Sequence, residues 1–173
     1  MGIKIIRIVL CVILLADAVF IFWNSSREAN ESGRLSLGIT ETVAGIFVPE
    51  IDQMDDGERE AILEILNRKI RESAHLLQFV PMGFSLYGLL LSFEERVSGK
   101  TWKKRGLLVL AAIAGGLLYA LSDEIHQYFV PGRAFQLFDI VMDMLGVILG
   151  CACALLILPI YRSVNKKTKE TRS

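Results

Sequence analysis

The sequence predicts an all-α, polytopic membrane protein with four transmembrane helices and an extracytoplasmic amphipathic helix. Three observations carry this. The 173 residues are 53% hydrophobic, and the apolar residues fall in long blocks instead of the short alternations of a soluble core. Those blocks are about 20 residues long, the length a helix needs to cross roughly 30 Å of hydrocarbon. Open strands could not satisfy their backbone groups in lipid, so helices are the economical solution.

The first span covers residues 5–23, "IIRIVLCVILLADAVFIFW". A cleavable signal peptide is its rival, since Lys4 and Arg7 form a basic start and Ala16 to Ala18 resemble a cleavage site. Against cleavage, five more apolar residues follow, through Trp23. The other spans are expected at 74–93, 106–122 and 137–161. Asp17 is buried in the first span, about 9 Å from its outer end; it either joins a polar site or bonds locally.

Between the first two spans lies an outer loop, residues 24–73. Its first part, "NSSREANESGRLSLGITETV", is rich in Ser, Glu, Asn and Gly and is expected to be irregular or short-helical. After Pro49 the pattern changes. Asp55 and Asp56 suit a helix start, Glu58 and Glu60 suit a first turn, and Ile62, Ile65, Leu66 and Ile70 recur at helical spacing. This amphipathic helix is expected to lie in the membrane interface or pack on other loops, and to feed almost directly into the second span.

Charge orients the spans. Phe93–Arg105 holds five Lys/Arg against two Glu, and the tail 162–173 holds five against one; residues 24–73 carry eleven acidic against six basic groups. The positive-inside rule therefore places both termini in the cytoplasm and the 24–73 loop outside. The basic tail reads as a solvated anchor touching anionic lipid. Cys11, Cys151 and Cys153 all fall inside spans, where they serve as small packing residues. No phosphate loop, internal repeat or nucleic-acid motif is present.

Polar residues concentrate at the outer ends of three spans. On the second, Arg71, His75, Gln78, Met82 and Ser85 share a helical face, with Pro81 expected to kink the helix. On the fourth, Asp139 and Asp143 sit above Gly146 and Gly150, a Gly-x-x-x-Gly groove that lets another helix approach. On the third, Tyr119, Asp123 and His126 align while Glu124 turns about 100° away. Ionisable groups at membrane depth need partners. Arg71, His75, Gln78, Asp123, Glu124, His126, Gln127, Arg133, Asp139 and Asp143 are therefore expected to form one shared site, with Arg71 or Arg133 countering a carboxylate.

Three chemistries suit such a set. Arg71 and Arg133 could hold an anionic head group such as phosphate; otherwise Arg133 simply caps the Pro131–Gly132 turn. General acid–base work would draw on His126, Glu124, Asp139 and Asp143; Ser122 lacks the elbow motif of a nucleophile. His75 and His126 with neighbouring carboxylates offer metal donors, yet their spacing is no metal signature and a hydrogen-bonded network is the commoner fate. No cofactor is expected.

The stretch "LYALSDEIHQYFVPGRAFQLFDIVMDMLGVILG", Leu118–Gly150, resembles the VanZ-like family of integral membrane proteins in its Ser-Asp-Glu-x-His-Gln, Pro-Gly-Arg and paired-Asp-then-Gly pattern. "FIFWNSS" and "RESAHLLQF" are weaker blocks of the same kind. Glu72 stands where the family usually has a basic residue, and Gln78 where it has a glutamate; glutamine keeps a positioning role but not acid–base chemistry. The resemblance implies a bacterial cytoplasmic-membrane protein with an envelope-related accessory role, associated with resistance to teicoplanin. Its implied partners are membrane lipid and an anionic lipid-linked envelope intermediate or a glycopeptide, with no nucleic acid.

Overall fold

The computed structural model describes residues 3–94 and 102–170. They form five helices: α1 (Ile3–Ser25), α2 (Ala29–Phe47), α3 (Asp56–Glu94), α4 (Trp102–Tyr128) and α5 (Leu137–Glu170), with a short 3-10 turn at Ile51–Gln53 before α3. Helices α1, α3, α4 and α5 are long and apolar enough to cross a membrane. Their outward faces are apolar, as at Val12, Leu15, Val19, Leu118 and Leu156, all more than half exposed. Such a surface suits acyl chains and not water. Much of the basic connection Phe93–Arg105 lies outside the described residues, as do residues 171–173 of the basic tail.

Helix α3 is the axis of the bundle. Its start is capped by Asp55, whose carboxylate accepts the Glu58 backbone N–H at 2.9 Å, with Asp56 and Glu58 in the first turn to complement the helix dipole. It runs 39 residues, unbroken through Pro81, a length of roughly 58 Å at about 1.5 Å per residue. That is about twice a hydrocarbon core. The amphipathic segment and the second span are thus a single helix.

The segment expected to be irregular or short-helical is a regular helix, α2, 19 residues long. Gly33, Gly38 and Gly45 made it look like a loop, yet a Cβ at any of them would meet nothing within 4 Å. Tertiary packing overrides their poor propensity. Ser36, Thr40 and Ala44 are buried, Thr40 reaches the Asn67 side chain at 3.4 Å, and Ala44, Ile51 and Leu63 form a small core with Ile62 and Leu66. The amphipathic part of α3 therefore packs on α2, though Ile65 stays 60% exposed.

Helices α3 and α5 make the most extensive contact, and glycine permits it. A Cβ on Gly146 would collide with the Leu76 carbonyl, one on Gly150 with the Val80 carbonyl, and one on Gly83 with the Val147 carbonyl. Backbones this close gain dispersion and weak Cα–H···O contacts. Phe79, Met82, Tyr87, Val147, Cys151 and Ala154 fill the adjoining core. Cys151 donates to the Gly83 carbonyl at 3.4 Å and is a packing residue, as expected.

Helix α1 lies antiparallel to α3. At one end Arg7 donates to the Ser92 hydroxyl at 3.2 Å and to its carbonyl, with its guanidinium 4.3 Å from the Phe93 ring centre. Midway, Asp17 is half-buried, and its Oδ2 has no partner among the described residues. At the far end Ser25 enters the polar cluster described next.

Candidate functional site

The polar end of the bundle is built by the last turns of α1 and α4, the first turn of α5, and the middle of α3. Helix α4 continues to Tyr128, so Asp123, Glu124 and Gln127 are helical residues and do not merely cap a span. All three are buried, as are His75, Asp139 and Asp143. Among these carboxylates, Glu124 is 0% and Asp143 1% exposed. Buried ionisable groups need partners to be tolerated, and their contacts divide them into three neighbouring sets.

His75 on α3 joins both aspartates of α5. Its Nδ1 lies 3.1 Å from Asp143 Oδ1, and its Nε2 lies 3.6 Å from Asp139 Oδ2, an ion-pair distance. When Asp143 is ionised it can only accept, and Nδ1 then carries the proton in that pair while Nε2 faces Asp139. The four-residue spacing of Asp139 and Asp143 places them one turn apart on the face that meets α3.

Asp123 is held by two donors: Ser25 Oγ at 2.8 Å and Gln127 Nε2 at 2.8 Å. Gln127 in turn accepts from Arg133 Nη1 at 2.7 Å. Arg133 follows Gly132, whose φ of 77° a side chain would strain. From that turn it donates to the Arg27 and Asn24 carbonyls at 3.0 and 3.3 Å, fastening the α1–α2 connection. Arg133 therefore does more than cap its turn, but among the described residues it forms no salt bridge with a carboxylate. Burial, then the nearby charge of Arg71, pushes its pKa down, opposed by Asp123, Glu124 and Asp139. Glu124 stands on the next face of α4, where its Oε1 accepts the Gln136 backbone N–H at 2.5 Å and Oε2 has no partner among the described residues.

His126 departs from the expected convergence. Tyr119, Asp123 and His126 do share a face, but that face meets α1: Tyr119 donates to the Ala18 carbonyl at 2.6 Å, while His126 stacks 4.5 Å from Phe22 and lies 3.1 Å from Ser26 Oγ. The approach of α1 to α4 draws the imidazole away from His75. Glu124 turns to the next face of α4, as expected, and is wholly enclosed there. Sequence reasoning also missed Ser25 and the carbonyls of Asn24 and Arg27; the polar "NSS" following an apolar span was the available signal.

A cavity of about 400 Å³ opens beside this cluster, between the end of α1, α2 and α3. Its charged lining is Arg27, Arg71, His75 and Arg133, with Gln78 and Gln127 adding neutral polar groups; no Asp or Glu contributes. Arg71 makes no hydrogen bond or ion pair among the described residues, and it also lines a second cavity of about 630 Å³ toward Asp139. Among the described residues no three His, Cys, Asp or Glu side chains are grouped to hold a metal ion. The arrangement can therefore attract an anion to one side of α3 while storing its carboxylates behind His75 and Gln127.

No curated protein and no solved structure matches the chain. The motifs that build this end, from the α1 terminus through the Asp-Glu, Pro-Gly-Arg and paired-Asp blocks, fall within residues 8–158, which match the model of one family of membrane proteins: the chain belongs to the VanZ/LLP1 family.

Proposed function

We propose that the protein is an envelope accessory protein whose polar end, facing outward, binds the anionic group of a membrane-borne ligand. One observation carries this reading: a cavity lined by three arginines and a histidine with no carboxylate, in a molecule whose other buried polar groups are largely paired. Guanidinium groups match phosphate and carboxylate oxygens with two parallel hydrogen bonds. Arg133 is pre-positioned by its carbonyl bonds, and Arg71, which has no hydrogen bond or ion pair among the described residues, completes the pair. The charge sorting of the sequence supports the outward orientation. A contribution to teicoplanin or other glycopeptide tolerance would follow from occupancy of this site by an anionic envelope intermediate or by the drug itself.

The test is to titrate the purified protein with inorganic pyrophosphate and to compare teicoplanin susceptibility of cells carrying the wild type and Arg71→Gln. Saturable binding lost in Arg71→Gln supports the site; no binding by the wild type removes it. Unchanged susceptibility on overexpression separates the site from drug tolerance.

A second reading is favoured by the His75–Asp143 pair. A histidine bonded to a buried aspartate and lining the same cavity as three arginines has the parts of a general base beside a bound anion. Turnover of a lipid-linked phosphate that is lost in His75→Gln, with pyrophosphate binding retained, would establish this enzyme reading; absence of turnover leaves the binding protein.

A further inference from the structure

The arginine cavity has a neighbour. On the other side of Ile70 and Ala74, residues that line both, a groove of about 400 Å³ runs between α2 and α3. Val43, Leu66 and Leu77 complete its apolar lining, with Lys69 and Ser73 as its polar members. Lys69 is engaged with Glu72 at 2.8 Å, so it does not redirect the groove toward anions. From Ile70 to Leu77 the groove follows α3 for about 10 Å toward the part of that helix that enters the apolar bundle. Leu77 is 64% exposed there, as expected of a residue facing acyl chains.

Resting on the anion-binding reading above, we infer that the ligand is a phosphate-bearing lipid whose head group sits between Arg71 and Arg133 and whose chain passes Ile70 and Ala74 into the Val43–Leu66–Leu77 groove. The chemistry of the two compartments differs as an amphiphile requires. One presents three arginines and no acid; the other presents mainly aliphatic side chains and reaches Leu77 on α3. Two side chains common to both, Ile70 and Ala74, make the compartments adjacent. A water-soluble anion would use the first compartment and leave the second empty, whereas a neutral lipid would gain nothing from the arginines.

The experiment titrates the purified full chain in non-ionic detergent with three probes: lysophosphatidic acid, glycerol 3-phosphate, which has the head group without the chain, and monoacylglycerol, which has the chain without the phosphate. Lysophosphatidic acid is expected to bind at least about ten-fold more tightly than either, an advantage of about 1.4 kcal/mol. Filling the groove with Ser73→Trp or with Val43→Phe is expected to remove the chain's advantage while glycerol 3-phosphate binds as before; either variant suffices if the other does not fold. Equal binding of lysophosphatidic acid and glycerol 3-phosphate, or groove variants without effect, would overturn the inference and leave the anion site standing. Binding of neither phosphate would overturn both, and monoacylglycerol binding as tightly as the phosphate lipid would remove the coupling of head to chain.

Discussion

His75 Nδ1 and Asp143 Oδ1 lie 3.1 Å apart, joining α3 to α5 at a depth where Asp143 is 1% exposed. Asp143 Oδ2 has no partner among the described residues, so His75 is the principal compensation for a buried carboxylate. His75→Ala is expected to destabilise the protein by roughly 3–5 kcal/mol by leaving that group unpaired. Replacing Asp143 as well, in His75→Ala/Asp143→Leu, should recover much of the loss. Unfolding in mixed detergent micelles checks this, and a double variant no more stable than the single one would contradict it.

The α3–α5 interface predicts a contrast among glycines. Gly150→Ala drives a methyl into the Val80 carbonyl, whereas a Cβ at Gly115 meets nothing closer than Leu86 at 3.6 Å. Gly150→Ala should cost about 1–3 kcal/mol or more because backbone must move, while Gly115→Ala should stay within about 0.5 kcal/mol. Thermal unfolding of the two variants side by side decides the matter; equal stabilities would mean the helices do not approach so closely.

Gln127 connects Asp123 to Arg133, with hydrogen bonds of 2.8 and 2.7 Å. Removing either neighbour alone leaves the amide half-satisfied, so the effects of Gln127→Ala and Arg133→Ala should not add. A double-mutant cycle is expected to return a coupling of about 0.5–3 kcal/mol. A coupling indistinguishable from zero would count against the network.

Arg71 should behave in the opposite way. It is exposed and lacks a hydrogen bond or ion pair among the described residues, so Arg71→Gln is expected to change stability by less than about 0.5 kcal/mol. Its loss should appear in pyrophosphate binding instead, and the wild-type affinity should weaken with added salt as screening grows. A large drop in stability would make Arg71 a structural residue.

The backbone hydrogen bond from Ala29 N–H to the Pro131 carbonyl, 3.3 Å, puts the α1–α2 and α4–α5 connections at the same end of the bundle. Single cysteines at Ser32 and Ala134, in a cysteine-free background, should therefore react with a membrane-impermeant thiol reagent from the same side. On the proposed orientation that side is the outer one and Lys104→Cys lies on the other. Labelling of Lys104→Cys alone in intact cells would reverse the orientation.

Much of the fold was legible because its signals are local. Twenty-residue apolar blocks read as spanning helices without knowledge of their neighbours, and Asp55 with its acidic first turn announced the start of α3. The four-residue intervals of Asp139, Asp143, Gly146 and Gly150 already implied a close-packed face. Helix α2 was hidden for the complementary reason: three glycines lower its local propensity, and the burial of Ser36, Thr40 and Ala44 that offsets them exists only against α3.

The candidate site divides along the same line. Periodicity alone brought Arg71, His75, Gln78, Asp139 and Asp143 onto facing stripes, and placed Tyr119, Asp123 and His126 on a common one. Which helix each stripe meets is a property of the assembled bundle. The close approach of α1 carried His126 off to Phe22 and Ser26 and brought in Ser25, while enclosure by α5 buried Glu124. By itself the sequence determined the four spanning helices, their polar faces and the chemical classes available there, since these depend on spacing along one chain. Only the tertiary structure decided which charges are paired and that Arg71 is left without a partner among the described residues, because pairing depends on distances between residues more than a hundred positions apart.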